Sequence, residues 1–211
     1  MTKLVFINIP MKEMNKNENK LEYKKDENHN YKTKVIFPIN AVLAENLTKE
    51  DKLKIVFLVT KTGKDSSEKN IELYKEELKE INKNINAQYE YETIESSFEE
   101  TNENNEIRLQ RILSKVEQNQ TIYADITYGQ KSIPMILMCA LNFAEKFYNC
   151  DIKRIIYGKV EFNKHEDGKI YLENSQIYDV TPLYYLNNLI GSMEAPSGTE
   201  ALKALNNFFS M

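Results

Sequence analysis

The chain has 211 residues, the length of one ordinary domain with a small appendage. Hydrophobic residues make up 41% and aromatics 10%, so a packed core is available and disorder is excluded as a description of the whole. Twenty-eight basic against 32 acidic residues leave a formal charge of −4, which argues against a nucleic-acid coat and against DNA as a partner, and requires any bound anion to be held by local geometry.

Residues 3–9 are a run of β-formers closed by Pro10, which reads as a buried strand ending at an edge. The charge that comes next leaves the N-terminus too brief for a signal peptide. From 11 to 34 the composition collapses to Lys, Asn and Glu, broken by Met14, Leu21, Tyr23 and Tyr31. That stretch predicts a solvated excursion, a ragged hairpin without a core-facing helix, serving as a flexible flap or as a lid over a ligand. Residues 35–37 read as a short strand before Pro38, with Asn40 capping a brief helix over 41–47.

Residues 54–60 are a second apolar strand, of the kind buried on both faces in parallel sheets, and their exit through 60–67 is polar and small. Helical periodicity appears over 70–84, strict alternation over 87–94, and a second amphipathic helix over 103–118 with Ile107, Leu109, Ile112, Leu113 and Val116 facing inward. A strand at 121–127 leads into an apolar helix at 132–147, whose longest apolar run is shorter than the ~18 residues of a bilayer span. The expectation is a soluble, cytoplasmic protein with no membrane partner. Cys139 and Cys150 make no disulfide framework and read as a core thiol and a loop thiol, and no Cys/His cluster has zinc spacing, so neither metal nor cofactor is expected. Two strands, 153–162 and 169–180, joined by a turn at 165–168, precede two short helices interrupted at 195–198. Tyr184 and Tyr185 are expected to pack in this connector or in a dimer interface.

This alternation implies an α/β three-layer sandwich with a mostly parallel sheet, a C-terminal antiparallel addition and a short helical tail. The expected division is a ligand-sensing domain at 1–180 and a helical connector at 181–211. In such sheets ligands gather at the carboxyl ends of the strands, which selects three loops: 8–11, 60–67 and 127–132. Neither G-x-G-x-x-G nor G-x-x-x-x-G-K-[ST] occurs, which disfavours an ordinary dinucleotide or ATP enzyme. The third loop runs from a strand through Gly129 to a helix start, with Ser132 as the expected cap and Pro134 in the first turn. Its backbone amides and the Lys131 ammonium suit a phosphate; the bland alternative is a strand–helix corner with a solvated lysine.

The ten residues Asp125-Ile-Thr-Tyr-Gly-Gln-Lys-Ser-Ile-Pro134 resemble the D-[IV]-T-[HY]-G-x-[RK]-S-[IL]-P signature of the CRISPR-associated Rossmann-fold (CARF) proteins of type III CRISPR systems. Residues 155–161 (Ile-Ile-Tyr-Gly-Lys-Val-Glu) look like the family's "I-x-Y-G-x-x-E" strand, and 178–183 (Tyr-Asp-Val-Thr-Pro-Leu) is similar to its "I-D-L-T-P-L" step into a helical connector. Tyr128 stands where His is usual, and Gln130 and Lys131 replace a commoner aromatic–Arg pair. The resemblance implies a Rossmann-like sensor of cyclic oligoadenylate, tetra- or hexa-adenylate, bound across a homodimer in antiviral defence. It implies ligand contacts from Asn8, Ile9, Pro10, Thr60, Thr62, Thr127, Tyr128, Gly129, Gln130, Lys131 and Ser132. Gly129 would let the backbone approach phosphates, and Lys131 would supply charge. Asn8, Thr60 and Thr62 would read base edges or ribose hydroxyls, or are polar loop residues. Tyr128 would stack on a base or pack in the dimer seam.

Many relatives carry a C-terminal ribonuclease with an R-x₄₋₆-H pair. Here the arginines are Arg108, Arg111 and Arg154 and the histidines His29 and His165, so no such pair forms in the tail. Two readings stay open: a sensor without its effector, or a ring nuclease with Lys131 as the catalytic charge. The latter would cleave by attack of a ribose 2′-hydroxyl to give a 2′,3′-cyclic phosphate, slowly and without metal, since both histidines fall in solvated segments. An unrelated α/β enzyme acting on a phosphate-bearing nucleotide at the same loop is the third.

Overall fold

The two apolar runs near the N-terminus become neighbouring parallel strands in the middle of a sheet. A computed structural model describes residues 2–16, 18–27, 29–62, 66–164 and 170–209, apart from the side chains of 162–164 and 170–173. In chain order the elements are β1 (Thr2–Asn8), α1 (Pro38–Asn46), β2 (Lys52–Lys61), α2 (Ser67–Asn82), β3 (Gln88–Ser97), α3 (Asn102–Leu113), β4 (Thr121–Asp125), α4 (Ser132–Tyr148), β5 (Asp151–Lys164), β6 (Ile170–Asp179), α5 (Thr181–Ser192) and α6 (Gly198–Phe209). They form one six-stranded sheet in the order β3-β2-β1-β4-β5-β6. All neighbouring pairs are parallel except β5–β6, which is antiparallel. This is the Rossmann-like α/β fold with its antiparallel addition and helical tail.

Helices cover both faces, which is why β1 and β2 are apolar on both sides. On one face α1 and α2 pack with the excursion around Val5, Ile7, Ile55, Phe57 and Tyr123. On the other α3, α4 and Tyr184 of α5 pack around Leu4, Phe6, Val56, Ile122 and Ile155. β1 lies between β2 and β4, so the direction of strand addition reverses between β1 and β4, and a crevice opens beyond their carboxyl ends.

Several local expectations change. Residues 35–37 form no strand; Val35 makes one antiparallel bridge to Leu21. Pro38 takes the first position of α1 because its missing N–H costs nothing there. Asn40 therefore lies inside the helix and donates to Glu77 Oε2 (2.9 Å) instead of capping. The excursion is a ragged hairpin, with Tyr31 N–H donating to Tyr23 O (2.9 Å), yet it is no bystander: Tyr23 and Tyr31 are buried in the first core. α3 ends at Leu113 instead of 118, and it turns Ile107 outward while burying Arg108 and Ile112, one helical turn apart. The two thiols exchange roles. At 100° per residue Cys139 sits opposite Leu137 on α4 and is exposed, whereas Cys150, in the loop, is buried with Sγ donating to Glu117 O (3.2 Å). Tyr184 is a core residue whose hydroxyl donates to Glu145 Oε2 (2.7 Å). The expected turn at 165–168 and part of the 60–67 loop lie outside the described residues. No helix among the described residues is long and apolar enough to cross a membrane.

Candidate functional site at the β1–β4 switch point

The strand β4 ends at Asp125, whose carboxylate organises the turn into α4. Its Oδ1 accepts from Thr127 N (2.8 Å), tightening the turn, and its Oδ2 accepts from Ile39 N (3.1 Å), one of the orphan donors at the start of α1. Asp125 is buried, and desolvation pushes its pKa up to about 6 despite donors that oppose the shift. Thr127 Oγ1 then accepts from Gly158 N (2.8 Å). Only glycine fits at 158, because a Cβ there would stand 2.4 Å from Pro38 Cγ. The turn closes at Gly129, whose φ of +94° favours glycine and brings it over Asn8: a Cβ at 129 would meet Asn8 Cβ at 3.4 Å.

Asn8 and Thr60 stand at the ends of β1 and β2, 1% and 2% exposed, and among the described residues both polar atoms of the Asn8 side chain and the Thr60 hydroxyl lack hydrogen-bond partners. Buried polar groups are normally paired, so this cluster is an anomaly that a ligand would relieve. Ile9 and Pro10 are buried supports: Ile9 joins the first core, and Pro10 O accepts from Asn70 Nδ2 (2.7 Å). Thr62 is half-buried beyond β2. The Tyr128 ring packs edge-on against Phe37 (6.4 Å between centroids), and its hydroxyl donates to Ile36 O (3.3 Å).

Gln130 is turned under the loop, where its Oε1 accepts from Arg108 Nη2 (2.9 Å) and its Nε2 donates to Phe98 O. Lys131 is exposed and has no hydrogen-bond or ion-pair partner among the described residues. It also occupies the N-cap position of α4 in helical geometry. Ser132, the expected cap, is one residue too far along to serve. Its Oγ accepts from Arg108 Nη1 (3.3 Å), and its backbone N–H donates to Glu100 Oε1 (3.3 Å). Gly129 and Lys131 are thus the surface of the loop, with Asn8 beneath.

Beside it, a cleft of about 390 Å³ lies between the excursion and the β4 exit, lined by Lys12, Asn15, Asn19, Tyr128, Tyr157 and Gly158. That is at the low end of the ~300–1,000 Å³ typical of small-molecule sites. Neither histidine is seen at the loop: His29 contacts Asp26 on an exposed part of the excursion, and His165 lies outside the described residues. Arg108 and Glu100 are the residues that sequence reasoning missed. The available signal was positional: Arg108 precedes Ile112 by four, the same-face spacing, but a periodicity counted on apolar residues passes over it.

The turn thus sets an exposed lysine at its surface over the unpaired amide of Asn8. No family model matches the chain. Over 82 residues, 39% of this chain and 12% of the other, it is 27% identical to the CRISPR-associated protein MJ1674 of Methanocaldococcus jannaschii, so the matched stretch is a small part of that relative.

Proposed function

We propose that this chain is a CARF-like sensor that binds a cyclic oligoadenylate, tetra- or hexa-adenylate, across a homodimer in type III CRISPR defence. The observation that carries the reading is the unpaired Asn8 side chain beneath the Gly129 turn at the switch point, with the unpaired Thr60 hydroxyl at the end of the neighbouring strand and the exposed Lys131 in the same loop as Gly129. The local similarity to MJ1674 supports a CRISPR-related role. A ring of phosphates and bases satisfies both halves of the cluster. Phosphate oxygens accept from Lys131 and the loop amides, while ribose hydroxyls or base edges take the amide and hydroxyl groups below. The neighbouring cleft, about 390 Å³, suits one nucleotide and not a whole ring, so a two-fold pair of loops is the economical receptor.

The test is a thermal melt with each ring and with linear adenylate, followed by chromatography of the nucleotide. A ring at 100 times its Kd adds about 2.7 kcal/mol of stability. Lys131→Ala weakens binding by about 1.5–3 kcal/mol, the worth of one charge-assisted contact. Asn8→Ala weakens binding too, yet leaves the free chain within about 1 kcal/mol of its original stability, because it removes unsatisfied groups. No shift with either ring, or unchanged binding in both variants, sinks the proposal. Breakdown of the ring in the same samples, persisting in EDTA, would assign a ring nuclease: the 2′-hydroxyl gives its proton to water as its oxygen attacks phosphorus, the P–O5′ bond breaks, the leaving 5′-oxygen takes a proton from water, and Lys131 balances the charge. Binding without breakdown assigns a sensor.

A further inference from the structure

We propose that the start of α4 and the Arg108 guanidinium form a second anion seat, separate from Lys131, which takes a phosphate of the bound nucleotide and is held in the free chain by the Glu100 carboxylate.

Two independent features meet there. The first is Arg108, which is 3% exposed. Its Nη1 donates to Asn105 Oδ1 (3.0 Å) and Ser132 Oγ (3.3 Å), and its Nη2 to Gln130 Oε1 (2.9 Å) and Ser97 O. Every acceptor is neutral, its Nε has no partner, and no carboxylate lies within ion-pair distance among the described residues. A buried cation without a counter-ion is costly, and a chain that keeps one bonded to Gln130 and Ser132 of its candidate ligand loop has a use for an anion there. Burial pushes the guanidinium pKa down, and Glu100 is the charge that opposes the shift.

The second is the occupant. Glu100 belongs to an exposed linker between β3 and α3, and its carboxylate sits on the first amide of α4 at 3.3 Å. A firm charge-assisted hydrogen bond is ~2.7–2.9 Å, so this is a loose contact. Ser132 holds the Glu100 carboxyl below the usual range, with the Arg108 charge a lesser cause. A phosphate carries more charge and more acceptor oxygens than a carboxylate, so it can take the Ser132 N–H and face Arg108 together. Glu100 then functions as a built-in competitor: it keeps the seat filled, weakens adventitious anions, and leaves with its linker when the phosphate arrives. That the phosphate belongs to a nucleotide rests on the cyclic oligoadenylate reading; the seat itself does not.

The experiment titrates tripolyphosphate, then cyclic tetra-adenylate, into the wild-type chain, E100Q, R108Q and E100Q/R108Q by calorimetry. E100Q is expected to bind tripolyphosphate about ten-fold more tightly than wild type, and the double variant to lose that gain. If R108Q does not fold, as judged by circular dichroism, E100Q/R108K replaces the double variant; it keeps the charge but not the fork, and at least half of the gain is expected to vanish. E100Q within two-fold of wild type, or a gain that survives both Arg108 variants, overturns the seat. Ring binding that is untouched by E100Q overturns it as well. A tripolyphosphate gain with no ring binding in any variant keeps the seat and sinks the cyclic oligoadenylate reading instead.

Discussion

Asp125 joins the β4 exit to the start of α1 through two accepted backbone hydrogen bonds, and it does so while buried. With its pKa pushed up to about 6, the folded chain holds this proton more tightly than the unfolded chain does. Stability contributed by Asp125 is therefore lost as pH rises from about 4 to about 6, and the ionised group is carried at constant cost above that. Asp125→Asn removes this slope. In urea unfolding at pH 4.5 and 7, the wild type should gain on the variant by on the order of 2 kcal/mol at the lower pH. A difference that is the same at both values would show that Asp125 does not titrate in this window. The comparison between pH values cancels the hydrogen bond that Asn loses.

At the scale of elements, α1 is placed by its neighbours more than by its own sequence. It has no side-chain cap; instead Glu77 of α2 accepts from Ile36 N (2.7 Å), Phe37 N (3.2 Å) and Asn40 Nδ2 (2.9 Å). Desolvation raises the Glu77 pKa, and those three donors oppose it. Glu77→Ala leaves buried donors unpaired and should cost about 2–4 kcal/mol in chemical denaturation, more than an exposed Glu→Ala on the same helix. A loss below about 0.5 kcal/mol would show that water replaces the carboxylate. Because Asp125 grips the same helix end, loosening α1 also loosens the loop that carries Gly129.

For the whole molecule, a ring gripped by two 127–132 loops requires the dimer interface to adjoin them. Met135, one turn into α4, is 71% exposed, and it borders a groove of about 350 Å³ between α3 and α4 with Leu109, Ser132 and Cys139. Under the paired-loop proposal a second copy seated there would bring the two loops together, because this groove includes Ser132 of the loop whereas Leu202 and Phe208 lie on α6. Met135→Glu should convert dimer to monomer in sedimentation velocity and abolish ring binding, with the stability of the chain changed by no more than about 0.5 kcal/mol. A wild-type chain that sediments as a monomer with ring bound would refute the paired-loop receptor.

Alternating apolar runs and helical periods were sufficient for the α/β class, the mostly parallel sheet and its antiparallel addition, because burial on both faces of a strand is written as an unbroken apolar run. The loop at 127–132 was legible for a similar reason: a glycine between a strand and a helix marks a turn that other residues strain to make. What the chain's own pattern did not determine was which polar residues face inward. Arg108, Glu77 and Asp125 each have a hydrogen-bond partner 22 to 86 positions away, and no local period encodes such pairings. Likewise Asn8 and Thr60 are ordinary polar strand ends until the sheet order sets them beside the switch point, where packing seals them from water and leaves their hydrogen bonds unmade. The strand order and the long-range burial decide that, and both are properties of the folded chain alone.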